Sequence, residues 1–157
     1  MENHNYYAYD TELGKIVIVS DGEAITHVKH ESQIDSEHKM EETALTNRAA
    51  AQIDEYLSGK RREFDVPLKP HGTDFQQSVW KALQEIPYGE TRSYKQVAEA
   101  IGNPDASRAV GMANNKNPIW VMIPCHRVIG ADGSLTGYGG GMDMKQKLLD
   151  VEKKGSK

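Results

Sequence analysis

The sequence contains a single cysteine, Cys125, among 157 residues. One cysteine cannot close a disulfide within the chain, which excludes the class of small secreted domains held together by disulfides. Because a free thiol persists in a reducing compartment, we expect a cytoplasmic protein. The sequence also has no apolar run near the roughly 18 residues of a membrane-spanning helix. Its polar N-terminus lacks the basic and then apolar pattern of a secretory signal.

Positive charge is in the minority, since 19 Lys and Arg accompany 23 Asp and Glu and give a formal net charge of −4. This balance argues against a nucleic-acid partner until its distribution is considered. Residues 1–72 carry a net charge of −6, and residues 73–157 carry +2. The second part could therefore bind a polyanion, although an uneven, solvated surface explains the same distribution.

Residues 1–72 are predicted to form a small antiparallel sheet and one helix. Three strands are indicated by β-branched and aromatic runs: Tyr6–Tyr9, Lys15–Ser20 and Ala24–Lys29. Asp21-Gly22 is a hairpin turn signal between the last two. A helix is predicted over Thr43–Ser58, with Gly59 as its C-terminal cap. A further short strand is indicated at Phe64–Val66, before a stretch of proline and glycine that marks a domain boundary near residue 72.

Residues 73–157 are predicted to be mostly helical. Thr73 and Gln76 fit a capping box at the start of the first helix. Ser93 caps a second helix that ends at Gly102, and Asn103-Pro104 then begins a third, which runs to about Ala113. The second and third helices resemble a helix-turn-helix. A last helix is predicted over 143–155. The fold class is therefore α/β (α+β), a small sheet with a helix followed by a helical subdomain.

Cys125 lies in an unusual setting, between Pro124 and the pair His126-Arg127. A lone cysteine is most simply a small buried hydrophobe. A nucleophilic role requires a base or a positive environment, because an ordinary thiol has a pKa near 8.5. If the segment is a strand, Cys125 and His126 point to opposite faces. A bridging water or a bend would then have to connect them.

Glu152 is predicted to be buried. Met144, Leu148 and Glu152 are spaced i, i+4 and i+8 and share the apolar side of the last helix. A buried carboxylate requires a partner. Two partners are open: His126, in a Cys–His–Glu relay, or Arg127, in a purely structural ion pair.

A longer motif surrounds the cysteine, with PCHRV at 124–128, NP at 117–118 and GYGGG at 137–141. Together with SYKQVA, GNP, SRAVG and a terminal LLxxE, it resembles the O6-alkylguanine-DNA alkyltransferase family, the methylated-DNA–protein-cysteine methyltransferases. The similarity is close over about residues 70–157. The first 70 residues match in layout only. The resemblance implies a ribonuclease H-like subdomain at 1–72 and a DNA-binding, alkyl-accepting domain at 73–157.

The resemblance implies a repair protein that acts once. Cys125 would take the alkyl group from guanine O6 in DNA, with thymine O4 as an alternative target, and would keep it. His126 and Glu152 would relay the thiol proton through a water, and Asn117 would brace the surrounding loop. No cofactor or metal is implied. The partner would be double-stranded DNA, bound at the minor groove by a monomer.

The resemblance also gives the helix-turn-helix a role in base flipping. Arg108 would fill the gap left by the flipped base, and Tyr94 would rotate the nucleotide and donate to guanine N3. Without the resemblance, a surface salt bridge for Arg108 and a core position for Tyr94 are the simpler interpretations. Three further groups would complete the interface: the small residues Ala106, Ala109, Gly111 and Ala113 against the groove, the base-reading segment Cys125, Arg127 and Val128, and the pocket wall Tyr138, Gly139 and Gly140.

Some positions depart from the family pattern. Gly139 stands where some members carry a serine, which removes a hydroxyl from guanine O6. Trp120 replaces a smaller residue, either filling the core or narrowing the pocket. The chain lacks the N-terminal cysteines that bind zinc in some animal members, and His27 with His30 is a weak metal signal.

Three other classes of protein share parts of this pattern. Alkyltransferase-like proteins bind damaged DNA without repairing it, but they lack the reactive cysteine. A helix-turn-helix regulator does not need a buried carboxylate near the cysteine. A cysteine hydrolase would turn over. The number of reactions per molecule therefore separates these classes.

Overall fold

The computed structural model describes residues 5–30, 39–130 and 142–155. The chain divides into two compact units, one formed by residues 1–71 with 118–122 and the other by residues 72–117 with 123–157. Within the described residues, no helix has both the length and the apolar character needed to cross a membrane.

The first unit contains a four-stranded sheet in the order β3-β2-β1-β4. Its strands are β1 (Asn5–Thr11), β2 (Gly14–Ser20), β3 (Ile25–His30) and β4 (Lys39–Met40). The three predicted strands are confirmed, and β1, β2 and β3 pair antiparallel. The short β4 was not predicted, and it pairs parallel to β1.

The central strand β2 is buried over its whole apolar length. The four residues of its IVIV run are each at most 1% exposed. A strand covered on both faces carries a continuous apolar run rather than an alternating one, which explains this composition. Helix α1 (Ala44–Leu57) packs on this sheet and begins at a capping box between Thr43 and Thr46.

The strand predicted at Phe64–Val66 does not form. The backbone N–H of Asp65 donates instead to the side chain of Gln52, across 3.2 Å. Pairing occurs further along, where Leu68 forms an isolated bridge with Ile25. The β-propensity of the earlier segment is therefore overridden by a side-chain acceptor on α1.

The second unit is built from four helices and a short parallel pair of strands. The helices are α2 (Asp74–Gln84), α3 (Tyr94–Ala100), α4 (Ser107–Asn115) and α5 (Met142–Gly155). The strands are β5 (Arg92–Ser93) and β6 (Val128–Ile129). The predicted caps are confirmed, since Thr73 with Gln76 and Ser93 with Gln96 both form capping boxes.

The third predicted helix begins later than expected. It starts at Ser107 rather than Pro104, and Ala106 is its N-cap without a side-chain hydrogen bond. Residues 103–106 form a turn instead, closed by the Ala106 N–H donating to the Asn103 carbonyl at 3.0 Å. Proline suits the second position of such a turn as well as the first position of a helix, so the sequence signal served either structure.

Candidate active site

Cys125 lies in a 3₁₀ turn that spans Cys125–Arg127. The Arg127 N–H donates to the Pro124 carbonyl at 3.0 Å, and the Val128 N–H closes the turn on the Cys125 carbonyl. Successive side chains of a 3₁₀ helix point about 120° apart, so the opposite-face arrangement of a strand does not apply. All three residues of the turn are buried.

Glu152 of α5 lies against this turn and is 1% exposed. The His126 Nε2–H donates to its Oε2 at 2.7 Å. Arg127 donates to both carboxylate oxygens, with Nε 2.9 Å from Oε1 and Nη2 2.9 Å from Oε2. The Gly89 N–H adds a donor at 3.0 Å. The two partners that the sequence left open are therefore both engaged by one carboxylate.

The protonation states of this group follow from its surroundings. Burial raises the pKa of Glu152, but hydrogen bonds and charges from His126 and Arg127 outweigh burial and lower it to about 2. Burial lowers the pKa of His126, and Arg127 and Lys145 act in the same direction against Glu152. An ionised carboxylate only accepts hydrogen bonds, so Nε2 carries the proton of a neutral imidazole. The Nδ1 atom then has a lone pair and can act as a base.

Two buried asparagines hold the backbone around Cys125. The Asn117 Nδ2 donates to the Ile123 carbonyl at 2.9 Å, which is consistent with the bracing role expected for it. Asn114, which was not predicted, directs its Nδ2 toward the Cys125 carbonyl at 3.4 Å. Both residues follow the exposed face of α4 along the chain, so one segment connects the helix-turn-helix to the turn.

Lys145 is a second residue missed by the sequence interpretation. It is 0% exposed, and its Nζ donates to the Val128 carbonyl at 2.5 Å. The spacing of Lys145, Leu148 and Glu152 is i, i+3 and i+7, which places all three on one side of α5. The periodicity that indicated Glu152 therefore also indicated Lys145.

The residues expected to meet DNA occupy α3, α4 and the turn before them. Arg108 and Ala109 are exposed, whereas Tyr94, Ala106 and Gly111 are partly buried. Met112 lies one turn after Arg108 on the same exposed side and is 64% exposed, although the sequence gave no reason to select it. Ala113 differs from expectation because it is buried, with its carbonyl accepting from Trp80 Nε1 at 2.9 Å.

The remaining predicted positions fall elsewhere. Arg127 is buried with Glu152, and its Nη1 donates to the Ile86 carbonyl at 2.7 Å. Trp120 is buried in the first unit, where its N–H donates to the Val28 carbonyl. Tyr138, Gly139 and Gly140 lie outside the described residues. In the described part of the chain, no three His, Cys, Asp or Glu side chains are grouped to hold a metal ion; His27 instead contacts Thr26 Oγ1 through its Nδ1 at 2.9 Å.

Comparisons with known proteins agree on one family. Residues 74–154 match the DNA-binding domain of 6-O-methylguanine DNA methyltransferase, and residues 5–70 match its ribonuclease-like domain. A methylated-DNA–protein-cysteine methyltransferase of Methanosarcina acetivorans is 49% identical over 152 residues, covering 94% of this chain and 97% of that protein. One from Mycobacterium tuberculosis is 47% identical over 95% of this chain and 92% of its own length.

Solved structures give the same result. The crystal structure of Mycobacterium tuberculosis OGT in complex with DNA is similar at a TM-score of 0.91 and 47% identity, covering 96% of this chain and 94% of that one. Both domains and nearly the full length are therefore matched. The chain belongs to the 6-O-methylguanine DNA methyltransferase family.

Proposed function

We propose that this chain repairs DNA by transferring the alkyl group from O6 of an alkylated guanine to Cys125. One observation carries the proposal: the residue after the only cysteine is a buried histidine, paired at 2.7 Å with a buried, ionised carboxylate. This pair holds the imidazole in the tautomer that can accept a thiol proton. The relatives' names give the chemistry for which such a thiol is suited.

The reaction would proceed by one displacement. The Cys125 thiol gives its proton to His126 Nδ1, through a water, and Glu152 stabilises the imidazolium. The thiolate attacks the alkyl carbon, so a C–S bond forms as the C–O6 bond breaks. The released electron pair moves into the purine, and Tyr94 donates a proton at N3. The products are guanine and S-alkylcysteine, and each molecule reacts once. O4-alkylthymine offers the same alkyl–oxygen bond.

The DNA surface is proposed to be the exposed side of α4 with the start of α3. Enzymes that act on a paired base first rotate it out of the stack. Arg108 is exposed where it can enter the duplex, and its guanidinium can stack on bases as well as neutralise phosphate. Ala106, Ala109 and Gly111 keep the approach to the minor groove short.

The base-reading segment has acceptors to spare. The Cys125 and Val128 carbonyls each receive one side-chain donor, from Asn114 and Lys145. A carbonyl oxygen has two lone pairs, so each can also accept from the exocyclic amine of guanine. Tyr138, Gly139 and Gly140 remain predicted as the opposite wall of this pocket.

We also propose the division into a ribonuclease H-like subdomain at 1–72 and an alkyl-accepting domain at 73–157, which the matched ranges support. A thiol nucleophile requires a reducing environment, so we place the protein in the cytoplasm. The reaction consumes no cofactor, and one copy of the chain carries every residue assigned a role.

Intact-mass spectrometry tests the activity. The protein is mixed with a duplex carrying one O6-methylguanine. The expected result is a gain of one methylene per protein, mapped to the Cys125 peptide and saturating at one. Continued demethylation by excess turnover would indicate a hydrolase, and tight binding without a mass change would indicate a non-repairing sensor. Either outcome would overturn the proposal.

The matched control is Cys125→Ser. It removes the nucleophile and keeps the size of the side chain, so we expect no mass gain and nearly unchanged binding to the same duplex. If binding is lost as well, the cysteine has a structural role in addition to the proposed one.

A further inference from the structure

Helix α5 places a buried positive charge beside the reactive turn. Lys145 is fully buried, whereas Lys147 on the same helix is exposed. Lysine side chains are seldom fully buried, because an ammonium loses its hydration there. The position of Lys145 therefore calls for a specific interaction that offsets this cost.

The ammonium is fixed to the segment that contains the nucleophile. Nζ donates to the Val128 carbonyl at 2.5 Å, and the N–H of the same Val128 donates to the Cys125 carbonyl. Burial lowers the pKa of Lys145 to about 8, and the charge of Cys125 opposes that decrease. Lys145 is thus mostly protonated at neutral pH and within electrostatic range of the Cys125 sulfur.

The charges around the turn leave a net positive one. The described titratable groups on the turn and on α5 that bear on Cys125 are His126, Arg127, Glu152 and Lys145. Arg127 and Glu152 form a close ion pair and compensate each other, and His126 is neutral. The Lys145 ammonium is therefore the charge of this group that is left to stabilise an anion on sulfur.

We propose that Lys145 is a positioning residue that stabilises the Cys125 thiolate and fixes the Val128 carbonyl. The proposal deepens the function proposed above and rests on it. The lysine transfers no proton: the thiol proton goes to His126, the ammonium stays protonated, and the negative charge on sulfur disappears when the C–S bond forms. Its role is to lower the energy of the thiolate before the displacement.

The test measures the thiol pKa of Cys125 without DNA. Thiolate absorbs in the ultraviolet, and the chain has one cysteine and seven tyrosines, so subtracting the Cys125→Ala titration isolates the signal. Lys145→Met keeps the length of the side chain and removes the charge. Lys145→Arg keeps the charge, and Lys147→Met makes the same charge change at an exposed site of α5.

We expect Lys145→Met to raise the thiol pKa by about one unit or more, which lowers the thiolate fraction at neutral pH about tenfold. Transfer from free O6-benzylguanine should slow by a similar factor at pH 7 and recover toward wild type as the pH rises. Lys145→Arg should keep most of the wild-type thiol pKa, and Lys147→Met should match wild type.

An unchanged thiol pKa in folded Lys145→Met would overturn the proposal, as would slowing of transfer by the same factor at every pH. If Lys145→Met does not fold, Lys145→Arg decides: a thiol pKa that rises to the ordinary value despite the retained charge refutes it. Because the titration needs no DNA, failure of alkyl transfer in the intact-mass experiment would be seen separately.

Discussion

His126 Nε2 and Glu152 Oε2 lie 2.7 Å apart, and both side chains are excluded from solvent. The same carboxylate also receives Arg127 and the N–H of Gly89. Glu152 thus joins the turn containing the cysteine, the turn before β5 and helix α5. Its structural and chemical roles cannot be separated by sequence position, but they can be separated by measurement.

Glu152→Gln should slow alkyl transfer by about a hundredfold or more, which is the scale of a lost general base. Glutamine offers one acceptor oxygen where the carboxylate offers two, and its NH2 group faces donors. His126 then loses both its fixed tautomer and the charge that stabilises the imidazolium. Single-turnover transfer from methylated duplex measures the effect. Asp150→Asn, on an exposed position of the same helix, should react at the wild-type rate; equal slowing in both variants would contradict the relay.

Stability in acid should depend on Glu152. Its pKa is about 2 in the folded chain and 4.5 when unperturbed. A depressed carboxyl pKa adds stability above the unfolded value, and this contribution is lost as the pH falls from about 4.5 toward 2; here it amounts to about 3 kcal/mol. Urea unfolding at pH 6 and pH 3 measures it. Glu152→Gln should lose less stability than wild type over this interval, and Asp150→Asn should lose as much as wild type. Parallel losses in all three would refute the assignment.

Features set by neighbouring residues were predictable from the sequence. The capping boxes at Thr73 and Ser93 depend on residues three apart, and the burial of Glu152 follows from the helical period. Asn103-Pro104 failed as a helix start because the same residues are equally suited to a turn.

Features set by tertiary contacts were not predictable. The sequence could not show that His126 and Arg127 share one carboxylate, since this depends on a 3₁₀ turn that only packing defines. Lys145 was missed for another reason. It has the spacing of a buried residue, but a lysine is ordinarily assigned to the solvated face. Periodicity should therefore be applied to charged residues as strictly as to apolar ones.

Arg108→Ala should slow repair of duplex DNA more than transfer from the free alkylguanine base. The free base needs no flipping, so only the duplex reaction depends on a side chain that enters the stack. Arg62→Ala makes the same charge change at an exposed site in the first unit and should leave both rates near wild type. Equal slowing of the two reactions by Arg108→Ala would remove this residue from flipping.

Gly111→Ala separates folding from DNA approach. A Cβ at this position would meet the Tyr94 ring at 3.7 Å, an ordinary contact. Alanine is favoured over glycine in a helix interior by about 1 kcal/mol, so the variant should be more stable to urea. Its duplex repair should nevertheless be slower than its free-base reaction, because the added methyl group lies on the surface proposed to meet the groove. In contrast, Gly155→Ala should destabilise the chain, since its Cβ would overlap the Tyr88 hydroxyl. Duplex repair at the wild-type rate by Gly111→Ala would place this position away from the DNA.

Val121 has an uncommon backbone conformation for a β-branched residue, with φ at +72°. The Met122 N–H donates to the Trp120 carbonyl at 2.8 Å and closes a γ-turn around it. A non-glycine residue held at such a φ costs about 1–3 kcal/mol, so glycine should be favoured there. We expect Val121→Gly to be at least as stable as Val121→Ala in urea unfolding. Val110, equally buried but inside α4, is the control: Val110→Gly should be less stable than Val110→Ala by about 1 kcal/mol. The same order at both positions would mean that Val121 is not strained.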